Sequence, residues 1–176
     1  LQQLMVEYVD LLLIHTPGKD PAQIATTWAA METALAAKKV RAIGVSNFVS
    51  STLTALLKTA KVVPAVNQIS LSVGKVDKAT VAFCKAKKIT VEAYSPLGHT
   101  GAPVMKNPAV MAIAAAHKKS AAAVALKYIV QSGHPFVTAS GVTDYDSAQQ
   151  PSPLPPPPPG STAPMSDLWM RPMRPV

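Results

Sequence analysis

Cysteine is almost absent. Cys84 stands alone, so no disulfide can form within the chain, and no neighbouring group marks it as a reactive thiol. It lies between Phe83 and Lys85 in a stretch of helical character and reads as an ordinary helix residue. Aromatic residues make up only 5% of the chain, and no basic patch is interleaved with them, which argues against nucleic-acid recognition. Long apolar runs are missing too: stretches such as Leu11 to Ile14 fall far short of the roughly 20 residues of a membrane span. The start at Leu1 shows no basic segment, apolar middle and small-residue cleavage site of a secretory signal. No spacing of histidine, cysteine and carboxylates resembles a metal site. The expectation is a soluble, cytoplasmic protein with no membrane, nucleic-acid or metal partner.

Acidic residues are also scarce, 9 against 17 lysines and arginines, giving a formal charge of +8. Such a surplus suits an anionic partner, and a dinucleotide satisfies it as well as nucleic acid would. The lysines are scattered, with Lys38, Lys58, Lys78, Lys87 and Lys118 falling near expected helix ends, where cations complement the helix dipole.

What the chain does have is hydrophobic content, 48% over 176 residues, enough for one core, arranged as alternating strands and helices. Tyr8 to Ile14 is a nearly continuous apolar run, as in a parallel strand covered on both faces, and Pro17 with Gly18 closes it. Asp20 before Pro21 is an N-cap with a first-turn proline, and Ile24, Trp28, Met31 and Leu35 recur at helical spacing up to Lys38 and Lys39. Arg41 to Val45 is a second strand, Ser50 or Ser51 caps a helix carrying Leu53, Leu56 and Leu57, and Val62 to Ile69 is a third strand interrupted by Pro64. Asp77 caps the next helix, Ile89 to Tyr94 is the fourth strand, and Asn107 with Pro108 opens an alanine-rich helix to about His117. Ser120 caps another helix that stops at Gly133, and Phe136 to Ser140 is a last short strand. About five strand and helix repeats imply a parallel α/β sheet.

From about Gln150 the composition changes. Pro151, Pro153 and the run Pro155 to Pro159 permit neither helix nor paired strand. Residues 150–176 are therefore expected to be a disordered, proline-rich tail that could dock on an aromatic-lined groove of a partner. Residues 1–149 form the expected folded domain.

In parallel barrels, chemistry sits at the C-terminal ends of the strands. There the sequence places His15, Gly44-Val45-Ser46-Asn47-Phe48, Val66-Asn67-Gln68 and Tyr94-Ser95-Pro96-Leu97-Gly98. His99, His117 and His134 carry no motif and are expected to be exposed. Tyr8 to His15, Lys39 to Phe48, Pro64 to Gln68 and Ala93 to Gly98, in that order and spacing, resemble successive signatures of the aldo-keto reductase family. Similarity extends from Leu1 to about Asp146 and includes the helix Ala123 to Tyr128.

The resemblance implies a partial (β/α)8 TIM barrel of about five β/α units and hydride transfer between NAD(P)H and an aldehyde or ketone. It implies that His15 polarises the substrate carbonyl or helps deliver a proton, a task suited to an imidazole donor. Ser46, Asn47 and Gln68 match residues that bind the nicotinamide carboxamide, Tyr94 the aromatic that stacks on that ring, and Ser95 and Leu97 positions along the pyrophosphate. Ser140 matches the serine after the last strand, but Ala139 stands where many members place a lysine for the adenosine 2′-phosphate. NADP is the expected cofactor, and NAD stays an alternative.

The family's aspartate, acid tyrosine and lysine have no counterpart here, since they lie on the early barrel strands. Tyr8 and Asp10 belong to the strand motif itself. The expectation is a C-terminal portion of an aldo-keto reductase. The alternative is a non-catalytic remnant of the same ancestry that binds nucleotide or a partner.

Overall fold

Leu11, Leu12 and Leu13 form the middle of an edge strand, β1 (Val9–Ile14), and each later strand adds beside the one before it. β2 (Val40–Ser46), β3 (Val66–Ser70), β4 (Thr90–Tyr94) and β5 (Phe136–Val137) complete a parallel sheet in the order β1-β2-β3-β4-β5. The helices between them are α1 (Pro21–Ala36), α2 (Ser50–Leu56), α3 (Lys78–Ala86), α4 (Ala102–Met105), α5 (Pro108–His117) and α6 (Ala121–Gln131). This computed structural model describes Leu1, residues 5–98 and residues 102–138. The proline-rich tail, Ala139, Ser140 and His99 lie outside the described residues.

A parallel five-stranded sheet with intervening helices is the α/β sheet expected from the alternation and the partial barrel that the resemblance implies. One face of the sheet is buried under helices: Ile43, Val45, Ile69, Val91 and Ala93 pack with Trp28, Phe48, Leu53, Cys84 and Ile129 in one core. Burying a valine, leucine, isoleucine or phenylalanine side chain in such a core stabilises by about 1.5–3 kcal/mol before the entropy of ordering it is subtracted. Among the described residues no single helix is long and apolar enough to cross a membrane.

The helix starts follow local chemistry. Asp20 accepts from Ala22 N at 2.9 Å, Asp77 from Thr80 N at 3.1 Å, Asn107 from Ala109 N at 3.0 Å, and Ser120 from Ala123 N at 3.1 Å. Each satisfies an amide that the first helical turn leaves without a partner. Three of the helices run into a lysine with left-handed backbone, Lys38 (φ 57°), Lys88 (φ 58°) and Lys118 (φ 51°). Glycine is the usual residue there, but each lysine brings positive charge to the negative end of the helix dipole.

Four local expectations are corrected. β3 begins at Val66, not Val62, because the backbone before it is already engaged: Glu32 Oε1 accepts from Lys61 N at 2.7 Å and Val62 N at 2.8 Å, and Val62 O accepts from Trp28 Nε1 at 3.1 Å. Neither Ser50 nor Ser51 caps α2; Val49 occupies the cap position without a side-chain bond, and Ser50 N donates to Thr80 Oγ1 at 3.1 Å. The short α4 was not expected. His134 is not exposed.

His134 follows Gly133 (φ 81°) at the end of α6 and is half-buried. Burial, partly offset by hydrogen bonding with the Val91 backbone, holds its imidazole below the usual 6.5. The neutral ring is therefore the form the fold favours, and the unfolded chain binds the proton more readily. Stability from this group is present above pH 6.5 and falls as the pH drops below it, flattening once the folded state is protonated too. Urea unfolding at pH 7.5 and pH 5 is expected to show a loss at the lower pH that shrinks in His134→Gln; an equal loss in both proteins contradicts this.

Candidate functional site

Register gathers the polar strand ends. Ile14 pairs with Val45, Ser46 with Gln68, and Ser70 with Tyr94, so His15, Ser46, Asn47, Gln68 and Tyr94 occupy one rim, at the C-terminal ends of β1 to β4. This is the end of a parallel sheet where ligands bind.

Hydrogen bonds tie the rim together. Ser46 Oγ is buried and donates to Gln68 O at 2.8 Å. Asn47 has left-handed backbone (φ 63°), a conformation that asparagine tolerates better than most residues. Its backbone N–H donates to Gln68 O at 2.9 Å, and its Nδ2 donates to His15 O at 2.9 Å and Ser46 Oγ at 3.1 Å. Tyr94 Oη donates to Asn47 Oδ1 at 2.8 Å. To reach Asn47 from β4, the tyrosine side chain must cross the end of β3, where Gln68 and Ser70 lie.

Two groups on this rim remain available. The half-buried Gln68 side chain has no hydrogen-bond partner among the described residues, and neither has the exposed imidazole of His15. Gln68 offers both a donor and an acceptor, and Tyr94 offers an aromatic face nearby. An amide-bearing aromatic ring such as nicotinamide fits that donor set. After β4 the chain turns sharply, with Ser95 at φ 50°, Pro96 buried and Leu97 half-buried, and Gly98 N donates to Ser95 O at 2.8 Å. Of the expected site residues only Ser140 falls outside the described residues.

Beneath the rim is a residue whose role the sequence did not reveal. Asn67, fully buried in β3, donates through Nδ2 to Phe48 O at 2.8 Å and contacts Cys84 Sγ at 3.6 Å. Burial pushes the Cys84 thiol above its ordinary range, so it stays protonated and unreactive. The only visible signal for Asn67 was a polar residue on the covered face of a buried strand. Asp77 plays a related part: it accepts from Thr80 Oγ1 at 2.7 Å, and that same oxygen takes the N–H of Ser50. The two bonds from Thr80 hold the Asp77 carboxyl below its usual range. Among the described residues no group of three or more histidines, cysteines and carboxylates converges as a metal site would require.

A parallel five-stranded half-barrel with an amide, an aromatic ring and an imidazole gathered on its C-terminal rim defines an α/β-barrel protein. The aldo/keto reductase family model matches residues 1–151, and the chain belongs to that family. It is 44% identical over 131 residues to the 9,11-endoperoxide prostaglandin H2 reductase of Trypanosoma cruzi, covering 74% of this chain and 46% of that protein. It is 38% identical over 160 residues to NADPH-dependent codeinone reductase 1-2 of Papaver somniferum, covering 80% and 50%. Its fold is similar to the crystal structure of an aldo/keto reductase from Brucella melitensis, with a TM-score of 0.75 and 33% identity over 80% of this chain and 53% of that one. The chain thus spans about half the length of the relatives it matches.

Proposed function

We propose that this chain is the nicotinamide-holding part of a cytoplasmic reductase that transfers hydride between NAD(P)H and the carbonyl carbon of a small aldehyde or ketone. The observation that carries the proposal is the convergence of Ser46, Asn47, Gln68 and Tyr94 beside His15 in a member of this family. When bound, the nicotinamide supplies the hydride.

The chain's own residues orient it. Gln68 would donate to and accept from the carboxamide, Ser46 and Asn47 would flank it, and the Tyr94 ring would offer its face to the nicotinamide. The imidazole of His15 would donate to the carbonyl oxygen of the substrate, stabilising negative charge there. Ser95 and Leu97 line the path of the pyrophosphate. The acid tyrosine, lysine and aspartate that the resemblance implies for proton delivery have no counterpart among the motifs of this chain.

NADP is the proposed cofactor, in keeping with the name of the poppy relative, and Ala139 in place of a phosphate-binding lysine leaves room for NAD.

Calorimetric titration of the full chain with NADPH tests this reading. The chain is expected to bind one nucleotide, and Gln68→Leu to weaken binding about tenfold, as the loss of one buried amide's bonds implies. A folded chain that binds no NADPH, or a Gln68→Leu variant that binds as wild type does, overturns it. NADPH oxidation with a generic aldehyde, dependent on His15, extends the reading to catalysis. Binding without turnover favours the non-catalytic alternative.

A further inference from the structure

The rim loop Ser46-Asn47-Phe48 carries two of the three residues proposed to hold the carboxamide, and β3 holds each of its three residues by a different bond. Ser46 is held through its hydroxyl to Gln68 O, Asn47 through its backbone N–H to the same oxygen, and Phe48 through its carbonyl to Asn67 Nδ2 at 2.8 Å. The third bond differs in kind, because it comes from a side chain on the opposite face of the strand from Gln68. Asn67 is fully buried, and its Oδ1 has no partner among the described residues. An unpartnered buried carbonyl works against stability, so an apolar residue of similar volume would fill this place at lower cost. What an apolar residue cannot do is donate to Phe48 O.

We infer that Asn67 is a positioning residue for the cofactor: its amide clamps the Phe48 carbonyl and so keeps Asn47 in its left-handed conformation, with Ser46 and Asn47 presented to the nicotinamide. This rests on the reading of the rim as a nicotinamide site. Phe48 itself is fully buried, and Ser50 N is fixed by Thr80, so the loop is pinned on its far side as well. Releasing the Phe48 carbonyl loosens the peptide that follows the left-handed residue, while the bonds of Asn47 to Gln68 O, His15 O, Ser46 Oγ and Tyr94 Oη remain. The effect is local to the nicotinamide end of the site.

The full chain is compared as wild type, Asn67→Leu and Asn67→Asp. Amide hydrogen exchange without nucleotide reads the clamp directly: Asn67→Leu is expected to exchange about tenfold faster at Asn47, in keeping with the loss of one buried bond, while amides of α5 and α6 are unchanged. In Asn67→Asp the new carboxyl can donate only when protonated and burial raises its pKa, so the protection factor at Asn47 is expected to be lost at high pH and recovered as the pH falls through that raised value. A space-filling role would not produce that pH dependence. NADPH is expected to bind Asn67→Leu about tenfold more weakly, whereas ADP-ribose, which lacks the nicotinamide, keeps its wild-type affinity.

Unchanged exchange at Asn47, or equal weakening of NADPH and ADP-ribose, overturns the positioning role. Wild-type chain that binds neither nucleotide sinks the cofactor reading and this role with it. Wild-type NADPH binding that Asn67→Leu leaves intact sinks the role alone.

Discussion

Gly44→Ala is expected to destabilise the fold by about 3 kcal/mol, the upper part of the range for overpacking a core. Gly44 lies inside β2, paired with Leu13, and is buried. A methyl group there would sit 2.6 Å from Val66 O and 2.7 Å from Leu13 Cδ2. The leucine could turn away. The carbonyl of Val66 belongs to the neighbouring strand's backbone and cannot move without separating β2 from β3. That separation would loosen the pairing of Ser46 with Gln68, so any folded Gly44→Ala should bind NADPH more weakly as well. Urea denaturation of both proteins measures the first effect; a variant as stable as wild type would show that the strands are not packed this closely.

Asn47→Ala is expected to weaken NADPH binding about a hundredfold, the combined cost of several hydrogen bonds and of a left-handed backbone that alanine resists. The side chain of Asn47 links three elements: His15 O after β1, Ser46 Oγ at the end of β2, and Tyr94 Oη at the end of β4. Without it the tyrosine loses the partner that draws its ring across the end of β3. Asn47→Gly separates the two causes, because glycine accepts the backbone conformation without strain. It is expected to recover the stability lost in Asn47→Ala while binding NADPH almost as poorly. Recovery of binding along with stability would show that the backbone alone matters and that the tyrosine needs no partner.

Much of the fold was legible in the sequence because its signals are local. Asp20 with Pro21, Asp77, Asn107 with Pro108, and Ser120 each announce a helix within three residues of where it starts, and all four cap as expected. Apolar runs announce the strands in the same way. The misreadings arise where distant residues decide. Nothing near Val62 indicates that Glu32 and Trp28 take up its backbone groups, and nothing near Ser50 indicates that Thr80 takes its N–H while the helix begins after Val49. His134 is half-buried only because α6 delivers it against β4, a packing fact with no local trace.

The site divides along the same line. His15, Ser46, Asn47, Gln68 and Tyr94 could be named from strand ends and motif order, since parallel pairing brings strand ends together whatever the details. Their bonds to one another could not. Nor could the sequence show that Asn47 joins three strands or that Asn67 reaches beneath the rim to Phe48, because both facts depend on backbone geometry across 19 or more residues of separation.

The side-chain amide resonances of Gln68 and Asn47, followed by NMR as NADPH is added to the full chain, test the nicotinamide rim most directly. Both are expected to shift in step with nucleotide occupancy, while the side-chain amide of Gln131, at the far end of α6, stays still. Nucleotide binding that leaves Gln68 and Asn47 unmoved would place the ligand elsewhere and contradict the account.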